Sequence, residues 1–105
     1  MNMQKLLLLG RATKDAELIE AKSGKPFVAF SLAVNRYLGK ERGEETQFYD
    51  CVIFTKSDVE KAATTIKKGD LIALDGRPEA EAYLTKEGEP KATLRVVTDD
   101  WQVIK

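Results

Sequence analysis

Residues 45–54 read Glu-Thr-Gln-Phe-Tyr-Asp-Cys-Val-Ile-Phe, ETQFYDCVIF. The later residues have the composition of a β-strand, and a strand sends successive side chains to opposite faces. One face carries Phe48, Asp50, Val52 and Phe54; the other carries Tyr49, Cys51 and Ile53. Both are largely apolar, whereas a small domain has one core to cover. Either Phe48 and Phe54 join that core, as phenylalanine commonly does, or the second face has a ligand of its own.

Strands flank this segment on both sides. MQKLLLLGR (3–11) reads as an N-terminal strand, buried in its middle and ended by Gly10. AELIEAKSGKP (16–26) is strand followed by a turn at Ser23-Gly24. PFVAFSLAVNR (26–36) alternates, with Phe30, Leu32 and Val34 on one side and Ala29, Ser31 and Ala33 on the other. YLGKERGEE (37–45) is a polar loop with two glycines. LIALDGR (71–77) resumes strand, AEAYLTKEGEPKATLRVV (80–97) reads as a hairpin around Lys86-Glu87-Gly88, and WQVIK (101–105) closes the chain.

One segment departs from the pattern. SDVEKAATTIKKGD (57–70) places Glu60 three residues after Ser57, a capping box, and Val59, Ala62, Ala63 and Ile66 at helical spacing. Lys67 and Lys68 suit the negative end of a helix dipole and Gly69 the position after its last turn. A helix of about three turns is predicted. Three strands, a helix, then two strands with hairpins is the plan of an all-β, five-stranded Greek-key barrel, the OB-fold, with its helix between strands 3 and 4.

Composition bounds the function. The 105 residues fit one domain over 1–105, and 43% hydrophobic content is enough for a core. No apolar run approaches the ~20 residues of a membrane span, and the leucines at 6–9 make no signal peptide, so a cytoplasmic protein without membrane contact is expected. Lys+Arg and Asp+Glu both total 17, which argues against a simple polycation but not against a local basic stripe. Histidine is absent and cysteine occurs once, so the commonest general base and any cysteine-cluster metal site are missing. With no phosphate-cradling glycine loop and no nucleophile–base pair, neither enzyme chemistry nor a cofactor or metal is expected. Cys51 reads as a small buried hydrophobe. Asp99-Asp100, lacking a third ligand, reads as a strand-entry turn rather than a metal pair.

LLGRATKDAEL, FSLAVNR, ETQFYDCVIFTK, IKKGDLIALDGR and YLTKEGEP follow one another in an order and at a spacing that resemble the bacterial single-stranded DNA-binding protein family. The resemblance covers nearly the whole chain. It implies an OB-fold that binds single-stranded DNA with little sequence preference, in replication, recombination or repair, and that assembles as a homotetramer, a dimer of dimers. It implies a cytoplasmic, nucleoid-associated protein of a bacterium, or one encoded by a phage or plasmid.

In such proteins aromatic rings stack on bases while Lys and Arg track phosphates. Matching by position, the resemblance puts Phe48, Phe54 and Tyr83 at stacking positions and Tyr37 near a fourth. Lys56 and Lys68 fall at basic positions, with Arg11, Arg36 and Arg77 as additions; Tyr49 turns the other way. Three departures stand out. Glu79 and Glu81 are acidic where the family often carries Lys or Arg, and carboxylates repel phosphates. Phe and Tyr stand where many members carry Trp. The sequence ends at Lys105, where many members continue into a linker and an acidic tip that recruits replication and repair enzymes, so recruitment is not carried over for a tailless or trimmed member. The acidic hairpin and zero net charge favour an alternative, an OB-fold protein-interaction or primosomal accessory module with weak DNA binding.

Overall fold

A computed structural model describes residues 3–105, excepting the side chain of Lys56. The elements are β1 (Leu6–Ala12), β2 (Glu17–Glu20), β3 (Pro26–Tyr37), β4 (Glu44–Ile53), α1 (Lys56–Thr65), β5 (Leu71–Leu84) and β6 (Pro90–Ile104). The sheet order is β1-β5-β6-β4-β3-β2, and a further β1–β3 pairing closes the ring. All pairings are antiparallel except β4–β6. β1 and β2 lie along the same edge of β3, so the first barrel strand is one strand interrupted at Thr13–Ala16, and five barrel strands result. This is the expected OB-fold barrel. The helix follows the third barrel strand.

Alternation decides what lies inside. Val28, Phe30 and Leu32 of β3, Cys51 and Ile53 of β4, Ile72 and Leu74 of β5 and Val96 of β6 are buried and pack together. Each fully buried Val, Leu or Ile contributes about 1.5–3 kcal/mol, and Leu32→Ala would cost about 2–5 kcal/mol. Val59 and Ala62 of α1 and its C-cap residue Ile66 join the same core. The Cys51 thiol is pushed up to about 12, first by burial and then by the neighbouring Asp50 carboxylate. It is a neutral packing group, as the sequence implies.

Several details differ from the sequence expectations. β1 does not end at Gly10 but runs to Ala12. Gly10 sits where β1 meets β3, and a Cβ there would lie 2.5 Å from the Ala33 carbonyl oxygen. It is the residue that lets the barrel close. The helix begins at Lys56, with Thr55 as its extended N-cap and no side-chain cap hydrogen bond, so Ser57 and Glu60 form no capping box. The Thr55 carbonyl accepts from the Asp58 and Val59 amides instead. Lys67 and Lys68 lie beyond the last turn: the Lys67 amide donates to Asp70 Oδ2 and the Lys68 amide to Asp15 Oδ1, each at 2.9 Å.

The closing strands are also longer than expected. β5 continues through Pro78 because β1 has already ended opposite Gly76, leaving an edge where proline is tolerated. Asp99-Asp100 is no strand-entry turn. Asp75 pairs with Asp100 and Gly76 with Thr98, which makes Asp99 the extra residue of a bulge within β6. The bulge turns Trp101 and Val103 toward the core, with Trp101 opposite buried Leu74.

Candidate nucleic-acid interface

The second face of ETQFYDCVIF meets solvent. Tyr49, Cys51 and Ile53 point inward, whereas Phe48 and Phe54 are 60% and 48% exposed. On β3 the outward partners are Ala29 opposite Val52, Ser31 opposite Asp50 and Ala33 opposite Phe48. These small residues leave a trough beside β4. Phe48 and Phe54 stand six residues apart along one face, roughly 20 Å at about 3.4 Å per residue.

The trough continues across β6 and β5. Arg95 pairs with Asp50 on one side and with Glu79 on the other; Thr93 pairs with Glu81, and Lys91 with Tyr83. The register therefore places Tyr83, 52% exposed, on the same face as Phe48 and Phe54. A shallow groove of about 350 Å³ runs between Phe27, Val52, Thr93 and Arg95. A wider cleft of about 800 Å³ lies on the other side of Phe54, against Lys25 and Ser57.

Two members of this face were not among the expected site residues. Phe27 packs against Phe54, ring centroids 5.3 Å apart at 41°. Its position was available from alternation alone, because Phe27 shares the parity of Ala29, Ser31 and Ala33. The Arg95 guanidinium carbon lies 5.9 Å from the Phe54 ring centroid. No pattern in the sequence marks it, since the outer half of the β5–β6 hairpin is exposed on both faces and carries no hydrophobic alternation.

The remaining expected residues spread out. Arg11 is on the outer face opposite Ala33, one strand beyond Phe48, and donates to the Gly69 carbonyl at 3.0 Å. Lys68 is exposed beside that glycine. Tyr37 is exposed at the end of β3, toward the tip of the β3–β4 hairpin. Arg36 has the opposite parity to Tyr37 and pairs with Glu45 at 3.5 Å, away from the ring face. Arg77 is on the ring face of β5 and pairs with Asp99 at 3.6 Å. Lys56 opens α1, but its side chain lies outside the described residues. The structure thus groups Phe48, Phe54 and Tyr83, sets Arg11 and Lys68 at the far side of β3, and turns Arg36 away.

The model of the Single-strand binding protein family matches residues 3–104. The chain belongs to the single-strand binding protein family. It is 37% identical to single-stranded DNA-binding protein 3 of Streptococcus agalactiae over 101 residues, 95% of this chain and 72% of that protein. It is 35% identical to the single-stranded DNA-binding protein of Bacillus cereus over 104 residues, 98% of this chain and 61% of that relative. The chain thus spans about three fifths of the length of the Bacillus single-strand binding protein. Two solved structures share the fold: the small single-stranded DNA-binding protein from Streptomyces coelicolor (TM-score 0.81, 17% identity, 99% of this chain and 96% of that one), and the Plasmodium falciparum SSB in complex with ssDNA (TM-score 0.83, 19% identity, 100% and 97%). Among the described residues, no helix of this family member is long and apolar enough to cross a membrane.

Proposed function

We propose that the chain binds single-stranded DNA with little sequence preference, laying the strand along the outer face of β4, β6 and β5, in replication, recombination or repair. The observation that carries this reading is the pair of exposed rings, Phe48 and Phe54, on the strand face turned away from the core, with the small residues of β3 beside them. Rings at such positions offer a π-face to any base. Tyr83 extends the stacking row. Arg11 and Lys68 supply positive charge at one side, and Tyr37 and Lys56 at the hairpin and helix ends belong to the same path. Arg36 and Arg77 are weaker contributors, because each is engaged by a carboxylate.

The test is a fluorescence-anisotropy titration of labelled oligo-dT at two salt concentrations. Saturable binding that weakens with salt is the expected result. Absence of binding at micromolar protein would favour the second reading, an OB-fold interaction module. The carboxylates Asp50, Glu79 and Glu81 on the ring face are what support that alternative.

The chain works as a homo-oligomer, a tetramer built from two dimers, in the cytoplasm. Beyond the family, two features support assembly. Over Leu6–Leu9, among the described residues, β1 pairs only with β5, which leaves its other backbone edge open. Leu7 and Leu9 are 74% and 56% exposed on the outer surface of that strand. Light scattering showing only an 11.7 kDa species at micromolar concentration would reject assembly.

A further inference from the structure

Arg95 sits at the centre of the ring face, and its surroundings are unusual for an exposed cation. Its guanidinium lies over Phe54, which is backed in turn by Phe27. Its side chain is 36% exposed, yet its Nε is sealed from water and has no hydrogen-bond partner among the described residues. The nearest carboxylate oxygen, Glu79 Oε2, is 4.0 Å from that Nε. This is close enough to neutralise charge but too far for a hydrogen bond. Asp50, the in-register neighbour on β4, makes no ion pair with it. A sealed donor is closed to a ligand as well as to water, so the donors free to take an acceptor are the terminal nitrogens of Arg95, which are not sealed.

A phosphate suits those exposed donors. Guanidinium presents a planar set of donors to which two phosphate oxygens fit side by side. The cation–π contact with Phe54 places the guanidinium at the border of a ring that faces bases. We infer that Arg95 is a phosphate-binding residue of the strand path, and that Glu79 is the carboxylate it keeps until DNA arrives. Loading the strand is then an anion exchange: the phosphate takes the guanidinium and Glu79 is released to solvent. Glu79 is singled out over Glu81 by register, because Glu79 stands directly opposite Arg95 whereas Glu81 faces Thr93. The inference rests on single-strand binding by this face.

The exchange has a measurable signature. A phosphate captured by a free cation expels a counterion from the DNA. One captured from a carboxylate also leaves a carboxylate that recruits a cation, so the contact adds little net salt dependence. Removing the Glu79 charge restores the missing release, about 0.7 in the slope of log K against log salt for one phosphate on a single strand.

The experiment is a double-mutant cycle by anisotropy with labelled dT20 over a salt series. It uses the full chain, Glu79→Gln, Arg95→Met and the pair, with Arg95→Gln in parallel so that a folded uncharged variant carries the cycle. Thermal melts establish that each variant is folded. The expected result is that Glu79→Gln binds about fivefold tighter at low salt, in the range of an exposed ion pair, with a slope steeper by about 0.7. Arg95→Met should weaken binding about fivefold, and in that background Glu79→Gln should change neither affinity nor slope. An equal gain from Glu79→Gln with and without Arg95 would overturn the inference, because Glu79 would then be repelling phosphates directly. Unchanged affinity on losing Arg95 would overturn it too. Wild-type chain that fails to bind dT20 would remove the functional proposal itself, whereas binding without coupling removes only the exchange.

Discussion

Two outer surfaces of the barrel expose large apolar side chains, and they differ in kind. The β4 face shows Phe48 and Phe54, flat rings separated by Ala, Ser and Asp and bordered by Arg95 and Glu79. The β1 face shows Leu7 and Leu9, branched, with Asp75 opposite Leu7 and ion-paired to Lys5, beside a backbone edge that is open among the described residues. Rings amid charges suit a ligand that is itself flat bases strung on phosphates. Aliphatic side chains beside an unpaired edge suit protein, which offers both apolar volume and matching backbone groups. Exposure and nearby charge do not distinguish the surfaces; side-chain shape and the open backbone edge do.

The largest effect that would break this contrast is on assembly. If the proposed assembly uses this face, Leu7→Asp together with Leu9→Asp should leave only an 11.7 kDa monomer in light scattering, since burying an unpaired carboxylate in an apolar contact is prohibitive. Oligomeric mass unchanged by both substitutions would place assembly elsewhere. Next come the rings. Phe48→Ala and Phe54→Ala should each weaken oligo-dT binding by about 1–3 kcal/mol while leaving the melting temperature nearly unchanged. Variants that melt much earlier and bind as before would make the two rings core residues.

Phe48 and Phe54 also show how much was legible. A period of two in 45–54 divided the two faces without coordinates but left both apolar, and it took the family resemblance to put the rings outward; the Ser23-Gly24 and Lys86-Glu87-Gly88 turns stand where their glycines put them, with φ of 84° at Gly24 and 83° at Gly88. What escaped depends on pairing between distant strands. Arg95 becomes a site residue only because β6 lies parallel to β4, and Asp99 becomes a bulge only because β5 and β6 slip by one residue. The helix start escaped for a local reason: Ser57-x-x-Glu60 is a good cap in sequence, but the turn out of β4 already commits Thr55 to that position.

A smaller effect sharpens the role of charge on the ring face. Glu79→Lys with Glu81→Lys should raise affinity at low salt by up to about tenfold and steepen the salt slope, since each new cation within reach of the strand adds about 0.7. A slope that does not move would put the β5–β6 hairpin outside the path. The smallest effect concerns Trp101, which packs partly against the core and has the Lys61 ammonium 5.8 Å from its ring centroid. Its emission should be blue-shifted and only weakly quenched by saturating oligo-dT, with binding followed by anisotropy in the same cuvette. Strong quenching with red-shifted emission would put it on the DNA face.

The two neighbours of β1 have a kinetic consequence. Its Leu6 end is complete only when it meets Gly76, and its Ala12 end only when it meets Leu32. The Leu6–Leu9 stretch therefore waits until β5 has been made before its hydrogen bonds can form. Closing such long loops before contacts repay them is slow, and barrels dominated by distant pairings fold in about milliseconds to seconds. During that wait the four leucines at 6–9 are unpaired in the nascent chain, which makes this stretch a candidate for a chaperone or an early partner.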